Sequence, residues 1–213
     1  MPVYRGGKGA MKLPKEKRRL LRKEVSRVGG RRVYSRRQNW AVKNTPLKEI
    51  KNFFPYIFSP VRKRASFIEG RFREKGKPVV VLDWGCGKGR AAGELKKELG
   101  ETVQVYGFSK DSYPEWRGAQ GVKFIHATKD DLLRYLKDGS VDLIYSMLGL
   151  EYLAHEKELI PHIAQLLPKL SKGGKIVFSK PGESHRILSE LTELLGEKAS
   201  ITLSDKSFYI TKK

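Results

Sequence analysis

From residue 78 onward, short apolar runs alternate with longer stretches of helical period. The runs at 79–83, 103–108, 122–126, 141–146 and 175–179 are rich in Val, Ile, Leu and Phe and read as strands. The segments 89–99, 130–137, 156–170 and 184–195 carry apolar residues on one face and read as helices. Two further runs, 199–203 and 207–212, close the chain as strands. Strands that look buried on both faces and alternate with helices predict an α/β domain with a mostly parallel sheet, covered on each side.

The first strand ends in Val81-Leu82-Asp83-Trp84-Gly85-Cys86-Gly87-Lys88-Gly89-Arg90. In an open parallel sheet, ligands bind beyond the carboxyl ends of the strands. Glycines there let the backbone turn tightly and approach a ligand directly. The helix that follows presents unpaired N–H groups at its start. A dinucleotide site asks for G-x-G-x-x-G, but the sixth position counted from Gly85 is Arg90. The spacing here is D-x-G-x-G-x-G, with Asp83 closing the strand.

That motif resembles the first motif of class I S-adenosylmethionine-dependent methyltransferases. The likeness runs over about residues 60–213. Val103–Ser109 resembles the family's second strand, and Asp138-Gly139-Ser140-Val141-Asp142-Leu143-Ile144 the approach to its fourth. Leu150-Glu151-Tyr152-Leu153 stands where the family often has Leu-Glu-His. Leu167–Val177, with Gly173-Gly174, resembles the turn into the fifth strand. The resemblance implies a Rossmann-like, doubly wound, mostly parallel seven-stranded sheet, methyltransferase activity and S-adenosyl-L-methionine as cofactor. It also implies that Asp83 and the backbone of Trp84, Gly85, Cys86, Gly87 and Gly89 hold the cofactor's methionine end. The family's ribose-binding acid is replaced by Ser109, with Asp111 two residues on. Its adenine-side acid is replaced by Ala127-Thr128, followed by Asp130 and Asp131. Ser146 at the end of the fourth strand completes the expected cofactor set.

The acceptor is less constrained. Methyl transfer from an activated donor can run on positioning, and a base is needed only if the acceptor loses a proton during attack. The single cysteine, Cys86, sits in the glycine loop, which disfavours Cys-dependent methylation of pyrimidine C5. Tyr145-Ser146-Met147-Leu148-Gly149 lacks the Asn/Asp-Pro-Pro-aromatic run of many amine methylases. Lys180 and Glu183 invite comparison with a Lys-Asp-Lys-Glu set, but Ser146-Met147 lacks its acid. Tyr152, His155 and Lys180 are the catalytic candidates. A loop or helix-start position is the plainer reading of His155. His162 and His185 read as structural, His126 either faces the adenine side or ends a strand, and Trp84 either lines the loop or packs behind it.

Charge separates the two ends of the chain. Residues 1–77 hold 24 Lys and Arg against five Glu and no Asp, a net +19 of the total +21. One-signed charge confined to one segment points to a polyanionic partner. Pro14 to Val28 reads as a helix. In Arg31–Trp40, arginines interleave with Tyr34 and Trp40, which suits unpaired bases. Arg18, Arg19, Arg22, Arg31, Arg32, Arg36, Arg37, Trp40, Arg62 and Arg64 are the nucleic-acid candidates, with RNA or a ribosomal particle as the leading partner. The expected organisation is a basic extension, partly helical and partly flexible, over residues 1–58, and a methyltransferase domain over 59–213. A helix is predicted to start at Ser59-Pro60 and stop at Gly76. Two alternatives stay open. One is a small-molecule or lipid-like acceptor under an N-terminal lid, with Phe53–Phe58 lining its pocket. The other is a non-catalytic RNA-binding or ribosome-assembly protein on the same scaffold. No run is long and apolar enough for a transmembrane segment, one cysteine gives no zinc cluster or internal disulfide, and a cytoplasmic setting is expected.

Overall fold

The computed structural model describes residues 45–60, 65–147, 149–155 and 157–213. The predicted Pro14–Val28 helix and the candidate residues Arg18 to Trp40, Arg62 and Arg64 lie outside them. Among the described residues three helices come first: α1 (Leu47–Phe53), α2 (Pro55–Phe58) and α3 (Phe67–Lys75). The order is then β1 (Val79–Trp84), α4 (Arg90–Leu99), β2 (Val103–Ser109), β3 (Val122–His126), α5 (Lys129–Tyr135) and β4 (Val141–Ser146). It continues with α6 (Gly149–His155), α7 (Leu159–Leu166), β5 (Leu170–Ser179), α8 (Ser184–Leu195), β6 (Ala199–Leu203) and β7 (Ser207–Lys212). The seven strands form one sheet in the order β3-β2-β1-β4-β5-β7-β6. All pairs are parallel except those of β7, which runs antiparallel to both β5 and β6.

Each strand feeds both faces because successive side chains point to opposite sides. Val79 and Val81 of β1 join one core cluster, with Val105, Leu143, Val177 and the apolar side of α4. Leu82 and Trp84 join the other, with Ile144, Phe178 and the apolar residues of α5 to α8. Leu47, Ile50, Phe54, Ile57 and Phe58 of α1 and α2 are buried in the first cluster. The Phe53–Phe58 run is therefore mostly core, with Tyr56 exposed. Burial of each such large side chain stabilises the fold by about 1.5–3 kcal/mol.

Two predicted boundaries move, each for a local reason. The helix predicted from Ser59-Pro60 is replaced by α3, whose N-cap is Ser66. Ser66 and Glu69 form a reciprocal capping box, a stronger start than a serine before proline alone, while Ser59 ends α2. The predicted 156–170 helix shortens to α7 and a 3-10 turn, because Leu170 already belongs to β5. A separate helix, α6, precedes it, started where the Ser146 hydroxyl accepts the Leu150 N–H at 2.9 Å. The chain then breaks at Lys157, which has φ 58°, before α7 and a short 3-10 turn over Leu167–Lys169.

α3 is bolted to the sheet by Asp142, which is fully buried. Its carboxylate accepts the Val80 N–H at 2.9 Å and the Ser171 hydroxyl at 2.6 Å, and it pairs with Arg71 and Lys75 of α3. Beside it, β4–β5 pairing slips from Val141↔Leu170 to Leu143↔Lys175. That bulge brings Ser171 and the Lys172 carbonyl to the Arg71 guanidinium. Among the described residues, no helix is long and apolar enough to cross a membrane.

Candidate active site

The glycine loop leaves β1 at the carboxyl edge of the sheet, where the strand order reverses between β1 and β4. Gly85, Gly87 and Gly89 all have positive φ, at 83°, 52° and 77°. Gly89 is doubly required. A Cβ there would lie 2.4 Å from the Phe124 ring. Gly89→Ala is expected to cost about 1–3 kcal/mol from backbone strain, and more from overpacking. Gly76, at φ 61°, faces open space, so Gly76→Ala carries the backbone cost alone. Thermal unfolding of the two variants checks this: Gly89→Ala should lower Tm more.

Inside the loop, the N–H groups of Gly85 and Cys86 both donate to the Phe108 carbonyl at 2.9 Å, and that of Gly89 donates to the Cys86 carbonyl at 2.9 Å. The outer rim is held by Trp116, in a 3-10 turn over Pro114–Gly118. Its indole N–H donates to the Gly87 carbonyl at 2.8 Å, and its ring stacks on Phe124 with centroids 4.7 Å apart. Lys88 pairs with Glu115 of the same turn. The sequence reading did not single out Trp116; a tryptophan between the second and third strands is its only signal.

Under the loop, parallel pairing sets Asp83 of β1 beside Tyr145 of β4. On the other flank, Asp83 faces Gly107, whose missing side chain leaves room for the Cys86 thiol. Asp83 is 6% exposed and Tyr145 is fully buried beneath Phe58, whose ring meets it edge-on at 5.3 Å. Burial pushes the Asp83 carboxyl up to about 7, and the hydrogen bond from Tyr145 pulls it partly back. Burial also raises the Tyr145 phenol and the Cys86 thiol, with the Asp83 charge adding to both. The Tyr145 hydroxyl reaches only Asp83, and not in well-formed hydrogen-bond geometry, among the described residues. A buried carboxyl with no cation beside it among the described residues, and an under-satisfied phenol, together suit a positively charged group.

The other predicted residues divide into rim and support. Ser109 ends β2 and its hydroxyl accepts the Asp111 N–H at 3.3 Å. The Ala127 N–H donates to the Ser109 carbonyl at 3.4 Å, so the β2 and β3 ends stay together. The Thr128 hydroxyl caps α5 by accepting the Asp131 N–H at 3.1 Å. The Ser146 hydroxyl donates to the Trp84 carbonyl at 2.8 Å as well as anchoring α6. Trp84 packs behind the loop, where its indole N–H donates to His162 at 3.1 Å; burial pushes that imidazole down to about 4. The His126 ring bonds the Lys110 carbonyl. Tyr152 and His155 fall on α6, with side chains outside the described residues. Lys180 follows β5, and Glu183 is engaged by Arg186 at 2.7 Å.

A seven-stranded sheet with its last strand antiparallel and a glycine loop after β1 is the architecture of class I methyltransferases. The chain belongs to the methyltransferase-domain family, which matches residues 19–205. Among solved structures it is similar to the plantazolicin methyltransferase BpumL in complex with a pentazolic desmethylPZN analog and SAH. That likeness covers 93% of this chain and 96% of the other, at 15% identity and a TM-score of 0.56. The plantazolicin methyltransferase BamL matches with 14% identity over 69% of this chain and 82% of its own, at a TM-score of 0.54. Monomeric WbdD matches at 17% identity over 68% of this chain and 39% of its own, with a TM-score of 0.50. At such identities the likeness is one of fold. No curated protein matches the sequence.

Proposed function

We propose that this chain binds S-adenosyl-L-methionine over the Asp83–Tyr145 pair and directs methylation to RNA, ribosomal RNA first. The cofactor reading rests on the fit of the pair: a buried carboxyl and a phenol oxygen suit a ligand with a cationic ammonium and sulfonium. Gly85 to Gly89 give it a wall without side chains. Ser109, Asp111 and the Ala127-Thr128 step border the nucleoside end. When bound, the cofactor supplies a methyl group already activated on sulfur. The protein's share is to orient donor and acceptor and exclude water, which requires no nucleophile of its own. The BpumL and BamL complexes with SAH support this reading.

The RNA reading is carried by one observation, the excess of 24 Lys and Arg over five acids in residues 1–77. Phosphate neutralisation releases counterions, so affinity should fall steeply as salt rises. In this reading residues 1–58 form the basic arm and 59–213 the methyltransferase domain, with α1 and α2 of the arm seated in the domain's core. Deleting residues 1–44 removes 15 Lys and Arg and two Glu while sparing α1. The truncated protein is expected to keep its cofactor affinity and lose at least about tenfold in affinity for structured RNA at 100 mM salt. Calorimetry and filter binding check the two arms. Undiminished RNA affinity after truncation would reject the role given to the basic arm, and absence of RNA binding by the full chain would favour a small or lipid-like acceptor. RNA binding with no cofactor binding would favour a non-catalytic assembly protein.

A further inference from the structure

Two strands along the carboxyl edge from Asp83, a cleft of about 510 Å³ opens. Its walls are Phe53 at the end of α1, Glu151 of α6, Ser179 at the end of β5 and Lys180 just after it, and Asp205 and Lys206 in the β6–β7 turn. Hydrogen bonds tie these walls together. The Lys180 N–H donates to the Lys206 carbonyl at 2.8 Å. The Ser207 hydroxyl donates to the Phe53 carbonyl at 3.1 Å. On the floor, the Ser179 hydroxyl donates to Glu151 at 3.2 Å. The Lys206 ammonium lies over the Phe53 ring, 6.0 Å from its centroid.

We propose that this cleft receives one unpaired nucleotide of the RNA acceptor, with its base against Phe53 and its phosphate between Lys180 and Lys206. The proposal rests on the RNA reading above. The lining is mixed: one aromatic face, two cations and two carboxylates. A bare phosphate has no use for Glu151 and Asp205, and a lipid tail has no use for either charge. A nucleotide offers all three complements: a flat ring, an anion and N–H donors on the base edge. Base–aromatic stacking tolerates any base, so the face selects an unpaired nucleotide rather than a sequence. Location agrees. With Asp83 beside Tyr145, and Ser146 of β4 beside Phe178 of β5, the end of β5 lies roughly 10 Å from Asp83 at the usual strand spacing. A base seated there stands next to the glycine loop.

The test is photo-cross-linking of the full chain, with SAH present, to a single-stranded RNA 12-mer carrying 4-thiouridine, followed by peptide mass spectrometry. Adducts on residues 47–58, 179–182 or 205–207 are expected. Phe53→Leu keeps the apolar packing of α1 and removes the ring; Lys206→Glu lies on the exposed turn and leaves the core untouched. Each is expected to lower cleft adducts about tenfold while adducts on residues 1–44 persist. Adducts confined to residues 1–44, or cleft adducts unchanged in both variants, would overturn the proposal and leave the RNA reading standing. No adduct anywhere would overturn the RNA reading, and the proposal with it.

Discussion

Replacing Asp83 by Asn is expected to weaken S-adenosyl-L-methionine binding at pH 8 by roughly 30- to 100-fold. Loss of a charge-assisted hydrogen bond to a cation costs about 2–3 kcal/mol, and each 1.4 kcal/mol is about tenfold. The pH dependence is the sharper signature. Burial pushes the Asp83 carboxyl up to about 7, from 3.8 when solvated. A cationic ligand prefers its ionised form, so wild-type affinity should rise with pH through 7 and level off above it. Asp83→Asn should bind weakly and show no such rise. Tyr145→Phe removes the hydrogen bond that pulls the carboxyl down and should move the midpoint higher. Stability runs the opposite way. A folded pKa above the unfolded one favours the fold at low pH. The cost of the buried charge therefore accumulates from about pH 4 to 7 and is complete above it. Asp83→Asn should raise the Tm of the cofactor-free protein at pH 8 and change it little at pH 4. Calorimetric titration and thermal scans at both pH values separate these expectations. Tight, pH-insensitive binding by Asp83→Asn would remove the carboxylate from the site.

The largest loss of stability is expected from Asp142→Ala. This carboxylate is fully buried and holds α3, β1 and β5 to β4 through Lys75, Arg71, Val80 and Ser171. Burial alone would raise its pKa, but the hydrogen bonds from Lys75, Ser171 and Val80 outweigh that and hold it below the usual range. Removing it strips Lys75 and the Val80 N–H of their buried acceptor and leaves Arg71 with Glu74 as its carboxylate partner, at a cost of about 3–5 kcal/mol. For a chain of this size the Tm should drop by roughly 10 °C. The carboxylate's contribution is present above the unfolded pKa near 3.8 and is lost as pH falls through the folded one. The gap between wild type and Asp142→Ala should therefore narrow sharply in strong acid. A gap that stays constant with pH would mean lost packing, and not lost charge, accounts for the effect.

Much of this fold was legible because the strands are continuous apolar runs. All seven expected strands are present, and β5 alone extends well beyond its predicted bounds. Helix boundaries were less legible where a side chain far from the apolar stripe sets them, as Ser66 with Glu69 does for α3 and Ser146 for α6. Asp83 could be read as a strand-final acid before glycines. Its partnership with Tyr145, 62 residues away, could not, because only the pairing of β1 with β4 creates it. Trp116 was invisible for a related reason. It lies in a 3-10 turn without periodicity, and its meaning comes from reaching back to Gly87. The cleft beside Phe53 joins residues from α1, α6, the β5 end and the β6–β7 turn, an assembly no local pattern announces.

The most direct measurement is calorimetric titration of the full chain with S-adenosyl-L-methionine and with SAH, between pH 6 and pH 8. The Asp83–Tyr145 reading predicts saturable binding at one site per chain, strengthening as pH rises through 7, and loss of that rise in Asp83→Asn. Absence of saturable binding to either nucleoside, by a chain whose thermal unfolding shows it to be folded, would contradict it.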